Sequence, residues 1–319
     1  MNPALEPYIL PEGNVQIAFS GGRTSAYMLR QIIDANGGLP DRVQVTFQNT
    51  GREMPETLDF VAEVGDRWGV NVVWLEYRPR AAMHDWQFNA VARAFGYRYA
   101  ERFRLWWVPD PRGFSEVSHN SASRDGEPFL ALVLSKQYLP NQQTRFCTIE
   151  LKIRTAKRYL VSLGWKRWVN ATGIRADEPH RLNKPKPKDR WTTWNPLAAA
   201  GRGRHHVAAF WQAQPFDLRL PNVGGNCWLG NCDGCFLKSE AHIAAFTRDF
   251  AERAAWWERV EAMIDALETS KGRPKDNSQF SKRYSRAEIR DFMDRQGDNF
   301  DQLTRLGILC QADDGECTA

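Results

Sequence analysis

The sequence predicts an α/β fold, a doubly wound and mostly parallel sheet joined to a helical, cysteine-rich C-terminal part. Three observations carry that expectation. Short β-branched runs alternate with helical patterns through the first half, as a parallel sheet covered on both faces requires. The run "IAFSGGRTSAYML" takes an apolar strand through two glycines straight into helical spacing. Further along, "NCWLGNCDGCFLK" packs Cys227, Cys232 and Cys235 into one short stretch.

Taken in order, strands are expected at 15–19, 43–47 and 70–75, with helices at 24–35 and 55–68 between and after the first two. A fourth strand is expected at 167–171, running into Thr172, Gly173, Ile174 and Arg175. Residues 78–141 read as an insertion rich in aromatics, helical early and loop-like over 109–128. Helical spacing returns over 130–138 and 148–163. The texture then changes. "NKPKPKDRW" is a proline-broken basic stretch that suits neither a regular helix nor a central strand, and "GRGRHH" reads as a second basic turn, so both are expected as surface loops. Helices follow at 241–267 and 286–295, then a polar tail. The expected division is 1–180 and 181–319.

A chain of 319 residues with a formal charge of +5 is large enough for a substantial core, and its modest positive balance suits an anionic ligand without requiring nucleic acid. The longest apolar runs fall short of a membrane span, and the opening "MNPALEPYILPEG" lacks a basic region leading into an apolar one. The expectation is a cytoplasmic protein with no membrane partner.

The glycine turn is the first candidate site. A strand, Ser20-Gly21-Gly22-Arg23-Thr24-Ser25 and a helix surround a nest of backbone amides where the helix dipole favours phosphate or sulfate. The Walker pattern does not fit, because no Gly-Lys-Ser/Thr follows at its spacing. Arg175, at the carboxyl edge of the expected sheet, could neutralise such an anion and stabilise a leaving group together with Arg181 and Lys152. The alternative for Arg175 is a surface pair with Asp177 or Glu178.

Six cysteines in a chain without an export signal point to metal or redox chemistry more than to disulfides. Cys227, Cys232 and Cys235 need a fourth partner, and Cys147 in "FCTIELK" opens a helix whose N-terminus can stabilise a thiolate. Zinc and a [4Fe-4S] cluster fit four thiolates equally well by spacing. His205 and His206 read as part of a solvated turn with Arg202 and Arg204. Lys184, Lys186, Lys188 and Arg190 could meet a nucleic-acid backbone, with Trp191 and Trp194 stacking on bases, although a solvated loop is the plainer reading. Trp256 and Trp257 are expected to pack in the core.

Four motifs in order carry a family resemblance: the Ser-Gly-Gly-x-x-Ser turn, "FQNTGREMPETLDFV" with Asn49, Thr50, Gly51, Pro55, Glu56 and Thr57, "RFCTIELKI", and "TGIRADEPHR". Over roughly residues 15–240 the chain resembles the phosphoadenosine phosphosulfate (PAPS) reductase family within the adenine nucleotide α-hydrolase, or PP-loop, superfamily. The resemblance implies an adenine nucleotide held by Ser20, Gly21, Gly22, Arg23, Thr24, Ser25, Asn49, Thr50, Gly51, Gly173, Arg175 and Arg181. It also implies a [4Fe-4S] cluster rather than zinc on Cys147, Cys227, Cys232 and Cys235. One departure matters: where ATP-using members often carry Lys this chain has Arg23, which leaves ATP, with or without Mg, and PAPS both open as the nucleotide.

The cysteine pattern and the "RFCTIELK" motif resemble those of the sulfur-transfer enzymes of DNA phosphorothioation and their phage or mobile-element relatives. The implied reaction is ATP-dependent adenylation followed by sulfur transfer from a sulfur donor. The alternative is a reductase of adenylyl sulfates, in which Cys317, in a Glu-Cys context matching part of the family's terminal motif, attacks sulfur and a thioredoxin-like partner releases sulfite. Cys310 is a weaker candidate for a redox thiol. A third reading is a non-enzymatic, cluster-bearing nucleotide or nucleic-acid sensor.

Overall fold

The first strand, β1 (Val15–Ala18), is buried almost throughout, as a central parallel strand must be. It leads through the glycine turn into α1 (Arg23–Asn36), which ends on the left-handed Gly37. Then come β2 (Val43–Asn49), α2 (Pro55–Trp68), with proline in its first turn and Gly69 closing it, and β3 (Val72–Tyr77). The computed structural model describes residues 5–182, 189–223, 226–227, 229–270 and 278–296.

The insertion holds α3 (Asp85–Phe95), α4 (Tyr97–Trp106), β4 (Phe114–Val117) and α5 (Glu127–Lys136). A π-helical turn, Thr148–Arg154, runs directly into α6 (Thr155–Ser162) and then β5 (Trp168–Ala171). After these come β6 (Trp191–Trp194), the short α7 (Pro196–Ala199) and α8 (Arg204–Gln212). A small ribbon of β7 (Asn222–Val223) and β8 (Asn226–Cys227) precedes α9 (Glu240–Asp249), α10 (Ala251–Ser270) and α11 (Arg286–Gln296).

The main sheet has six strands in the order β4-β3-β2-β1-β5-β6, with β4 antiparallel to β3 and the other pairs parallel. From β1 the chain winds outward through β2 and β3, then returns to the other flank of β1 with β5. The fold is therefore doubly wound, and its switch point lies between β1 and β5. Alternation along β3 shows both faces covered: Trp74 packs edge-on against Phe47 at 4.9 Å, while Val73 and Leu75 join Tyr159 and Leu160 of α6. Trp256 and Trp257 are both buried. Among the described residues no helix is long and apolar enough to cross a membrane.

Several elements differ from expectation. β4 forms inside the stretch read as loop, and β6 begins at Trp191, the last residue of the proline-broken basic run. Both are edge strands held by a single neighbour. Trp191 stacks on Trp168 at 5.6 Å instead of standing free for a base. The "GRGRHH" turn is partly helix, since α8 starts at Arg204 and the Gly203 N–H donates to His206 Nδ1 at 3.1 Å. The expected helix at 241–267 is two helices broken at Phe250, whose φ of −133° leaves the helical region without glycine or proline to announce it. Lys184, Lys186 and Lys188 lie outside the described residues.

α9 generates a pH prediction. Ser239 caps it by accepting from the His242 N–H at 3.3 Å, and its hydroxyl also meets His242 Nδ1 at 2.7 Å. Burial, with nearby Lys238 adding to it, pushes the imidazole from 6.5 down to about 4. The unfolded chain takes up a proton near pH 6.5 while the folded one does not, so this contribution is complete above that pH and is lost as the pH falls towards 4. In urea titrations between these limits, His242→Gln flattens the acid loss of stability by about 2 kcal/mol, after discounting for partial exposure.

Candidate functional site

The glycine turn lies at the carboxyl end of β1, beside the switch point where open α/β sheets leave a crevice. Ser25 Oγ organises it. This hydroxyl accepts from the Ser20 N–H at 3.2 Å, lies 2.9 Å from Ser20 Oγ and donates to the Gly22 carbonyl at 3.0 Å. Gly21 has a φ of +79°, and a Cβ there would stand 2.8 Å from Thr57 Cγ2 and 3.1 Å from both Phe47 and Val61. Only glycine fits. No side chain caps α1 at Gly22, so the helix's first-turn amides keep the donors that an N-terminus leaves outside its own ladder.

From the β5 side, a Cβ on Gly173 would lie 3.2 Å from Ser25 Cα, so the two turns are in close contact. Arg175 follows and is 4% exposed, with Nε donating to Asp177 Oδ1 at 2.9 Å and Nη1 to Thr24 Oγ1 at 3.4 Å. The Arg175 N–H donates to Glu178 Oε2 at 3.2 Å. Arg175 thus keeps its acidic neighbours and also reaches the first turn of α1. Arg181 pairs with Glu178. Arg23 is engaged elsewhere: Nε donates to Asp217 Oδ1 at 2.7 Å, and its terminal nitrogen meets the other oxygen.

At the end of β2, the Asn49 amide donates to Glu76 Oε1 at 2.7 Å and to the Ser123 carbonyl at 2.8 Å, while its oxygen accepts from the Gly51 N–H at 3.1 Å. Asn49 therefore shapes the turn. Thr50 Oγ1 donates to Glu53 and lies 3.3 Å from Cys232 Sγ. Glu53 also bridges to Cys232 through the backbone. Burial pushes the Glu53 carboxyl up, with the charge of Lys152 opposing.

The cysteine loop is fastened to this turn by Asp233, which is fully buried. Its carboxylate accepts from Arg52 Nη2 at 2.7 Å, Trp257 Nε1 at 2.7 Å, the Gly234 N–H at 2.7 Å and Arg253 Nε. The Asp233 N–H donates to the Arg52 carbonyl at 2.9 Å. Lys238 Nζ donates to the carbonyls of Cys232 and Asp233, both at 3.1 Å. Buried Arg286 donates to the Gly234 carbonyl, next to Cys235, at 2.7 Å. Lys152 Nζ donates to Asn231 Oδ1 at 3.2 Å, which brings the Cys147 turn against the same loop.

Cys235 is buried, and Cys147 and Cys232 are half-buried. Lys238 and Arg286 bring positive charge to the backbone of this loop, an environment that favours deprotonated cysteine, the form a metal centre would need. Among the described residues no three His, Cys, Asp or Glu side chains are grouped to hold an ion. The Cys227 side chain, the fourth expected ligand, lies outside them, as do Cys310 and Cys317. Sequence reasoning missed Arg52, Glu53 and Asp233, which it treated as spacers inside the quoted motifs. The available signal was charge placed between glycine and cysteine positions that leave little room for solvent.

The fold defines a doubly wound α/β protein with a glycine turn and an uncapped helix N-terminus beside its switch point. No family model matches the chain. It is 30% identical over 236 residues to ORF290, an uncharacterized nin region protein of Escherichia phage lambda, covering 73% of this chain and 69% of that protein. The chain belongs to the family of that phage protein. Among solved structures it resembles a PAPS reductase from Candida auris in a phosphate complex, with a TM-score of 0.37 and 17% identity over 69% of this chain and 87% of that one.

Two outcomes follow from the geometry. Asp233→Asn leaves the buried Arg52 and half-buried Arg253 guanidinium groups on a neutral acceptor and lowers stability by about 3 kcal/mol, read as an earlier urea midpoint at unchanged slope. Gly21→Ala forces a side chain into a left-handed position against α2 and costs about 2 to 4 kcal/mol, read by thermal unfolding.

Proposed function

We propose that the chain is an enzyme of the PAPS reductase type that binds the phosphate chain of an adenine nucleotide at the glycine turn, beside a [4Fe-4S] cluster on Cys147, Cys227, Cys232 and Cys235. The reaction is ATP-dependent adenylation followed by sulfur transfer. The observation that carries the proposal is the 3.3 Å contact between Thr50 Oγ1 and Cys232 Sγ, because it joins the second-strand motif to the cysteine loop.

In this reading the first-turn amides of α1 and the hydroxyl of Ser20 bind the phosphates, and Arg175 balances charge on the leaving pyrophosphate. An acceptor oxygen attacks the α-phosphorus, breaking its bond to the bridging oxygen of pyrophosphate. A sulfide-level sulfur then displaces AMP from the activated acceptor. Lys152 and Lys238 keep positive charge beside the sulfur-bearing residues. Bound there, a cluster supplies an iron site for sulfur or electrons.

Purification without oxygen is expected to yield iron and acid-labile sulfide in equal amounts, both reduced by Cys147→Ser and by Cys232→Ser. Zinc in their place overturns the cluster. ATP is expected to bind more tightly than PAPS and to release pyrophosphate once an acceptor is present. Tighter PAPS binding, with all activity lost in Cys317→Ser, overturns sulfur transfer in favour of the reductase.

A further inference from the structure

A second cavity, of about 420 Å³, opens beside the carboxyl end of β3, walled by Tyr77, Arg80, Trp86, Trp107, Lys136 and Arg158. Its size is that of a small-ligand pocket. Two guanidinium groups meet in it. A Cβ placed on Gly113 would lie 3.0 Å from Arg80 Nε and 3.3 Å from Arg158 Nη1, so both arginines crowd over the same glycine.

Like charges brought this close repel, and the structure supplies little to offset them. Glu150 is the carboxylate in the pocket wall, and it is shared by Lys136 at 3.3 Å, Arg158 at 3.4 Å and, from outside the pocket, Arg154 at 2.6 Å. Arg80 is exposed and has no carboxylate partner among the described residues. The Arg158 guanidinium is pulled below its usual range by burial first and by Arg80 next. Arg80, Lys136 and Arg158 against Glu150 leave two positive charges in excess. Trp107 is fixed by its Nε1 donating to the Ala81 carbonyl at 2.9 Å, while Trp86, 36% exposed, offers a flat apolar wall.

We propose that this pocket is a second anion site, separate from the switch-point crevice, and that it takes the phosphate monoester of a small planar molecule. The dianion matches the charge excess and forms charge-assisted hydrogen bonds with both arginines. The ring stacks on Trp86.

Equilibrium dialysis of phenyl phosphate against the full chain, with and without saturating ATP, tests the assignment. One equivalent is expected to bind and to stay bound when ATP is present. Arg80→Ala weakens it about tenfold or more, the loss of one charge-assisted contact, and Arg80→Lys restores part of the loss. Trp86→Ala weakens phenyl phosphate but not inorganic phosphate, and phenyl sulfate, with a single charge, binds less well than phenyl phosphate. Equal binding by wild type and Arg80→Ala overturns the site, as does displacement of phenyl phosphate by ATP. Because the phenyl phosphate measurement stands without ATP, failure of the nucleotide reading leaves it intact.

Discussion

A single carboxylate decides where the cysteine loop sits. Asp233 has no exposed surface, and a buried charge of that kind persists only when several donors replace its lost water. Arg52, Arg253, Trp257 and the Gly234 N–H supply them. Arg52 in turn lies over Trp256 at 4.6 Å, so its own burial is offset by an aromatic face as well as by the carboxylate. Asp233 stands between Cys232 and Cys235, while Arg52 directly follows the turn of Thr50 and Gly51. The ion pair therefore sets the separation of two motifs far apart in the chain.

The other end of the same construction is β2. Phe47, two residues before Asn49, forms part of the wall that excludes any side chain from Gly21. Asn49 then holds Glu76 and the Ser123 carbonyl, and Thr50 meets Cys232. One strand thus supports both the glycine turn and the anchor of the cysteine loop. A parallel strand buried on both faces suits that task, because its register is fixed by neighbours on each side: Val45 pairs with Ile17 of β1 and with Val72 of β3.

The central α/β units were legible because their signals are local. β1, α1, β2, α2 and β3 each announce themselves by apolar runs, by the proline that opens α2 or by the glycines that close α1 and α2. The edge strands were not. β4 and β6 owe their conformation to one partner strand, and nothing within "FSEV" or "WTTW" dictates that partner. The glycine turn was read directly, yet the engagement of Arg23 was hidden, since Asp217 lies 194 positions away. Burial of charge was hidden for the same reason: Glu53 and Asp233 look like solvent-facing residues until the cysteine loop folds over the end of β2.

The turn after Cys147 shows how one short element serves two environments. Thr148–Arg154 is π-helical, and Thr155 Oγ1 donates to the Glu150 carbonyl at 2.9 Å across five residues, the span that a wider turn leaves to be satisfied. Widening changes which side chains share a face. Lys152 goes to Asn231 and the cysteine loop, while Glu150, two residues earlier, goes to Arg154 and, at the second pocket, to Lys136 and Arg158. Leu151 between them is buried in the core and fixes the turn in rotation. The π-turn is therefore the element that presents Lys152 to the cysteine loop through Asn231, and Glu150 to Lys136 of α5 and Arg158 of α6.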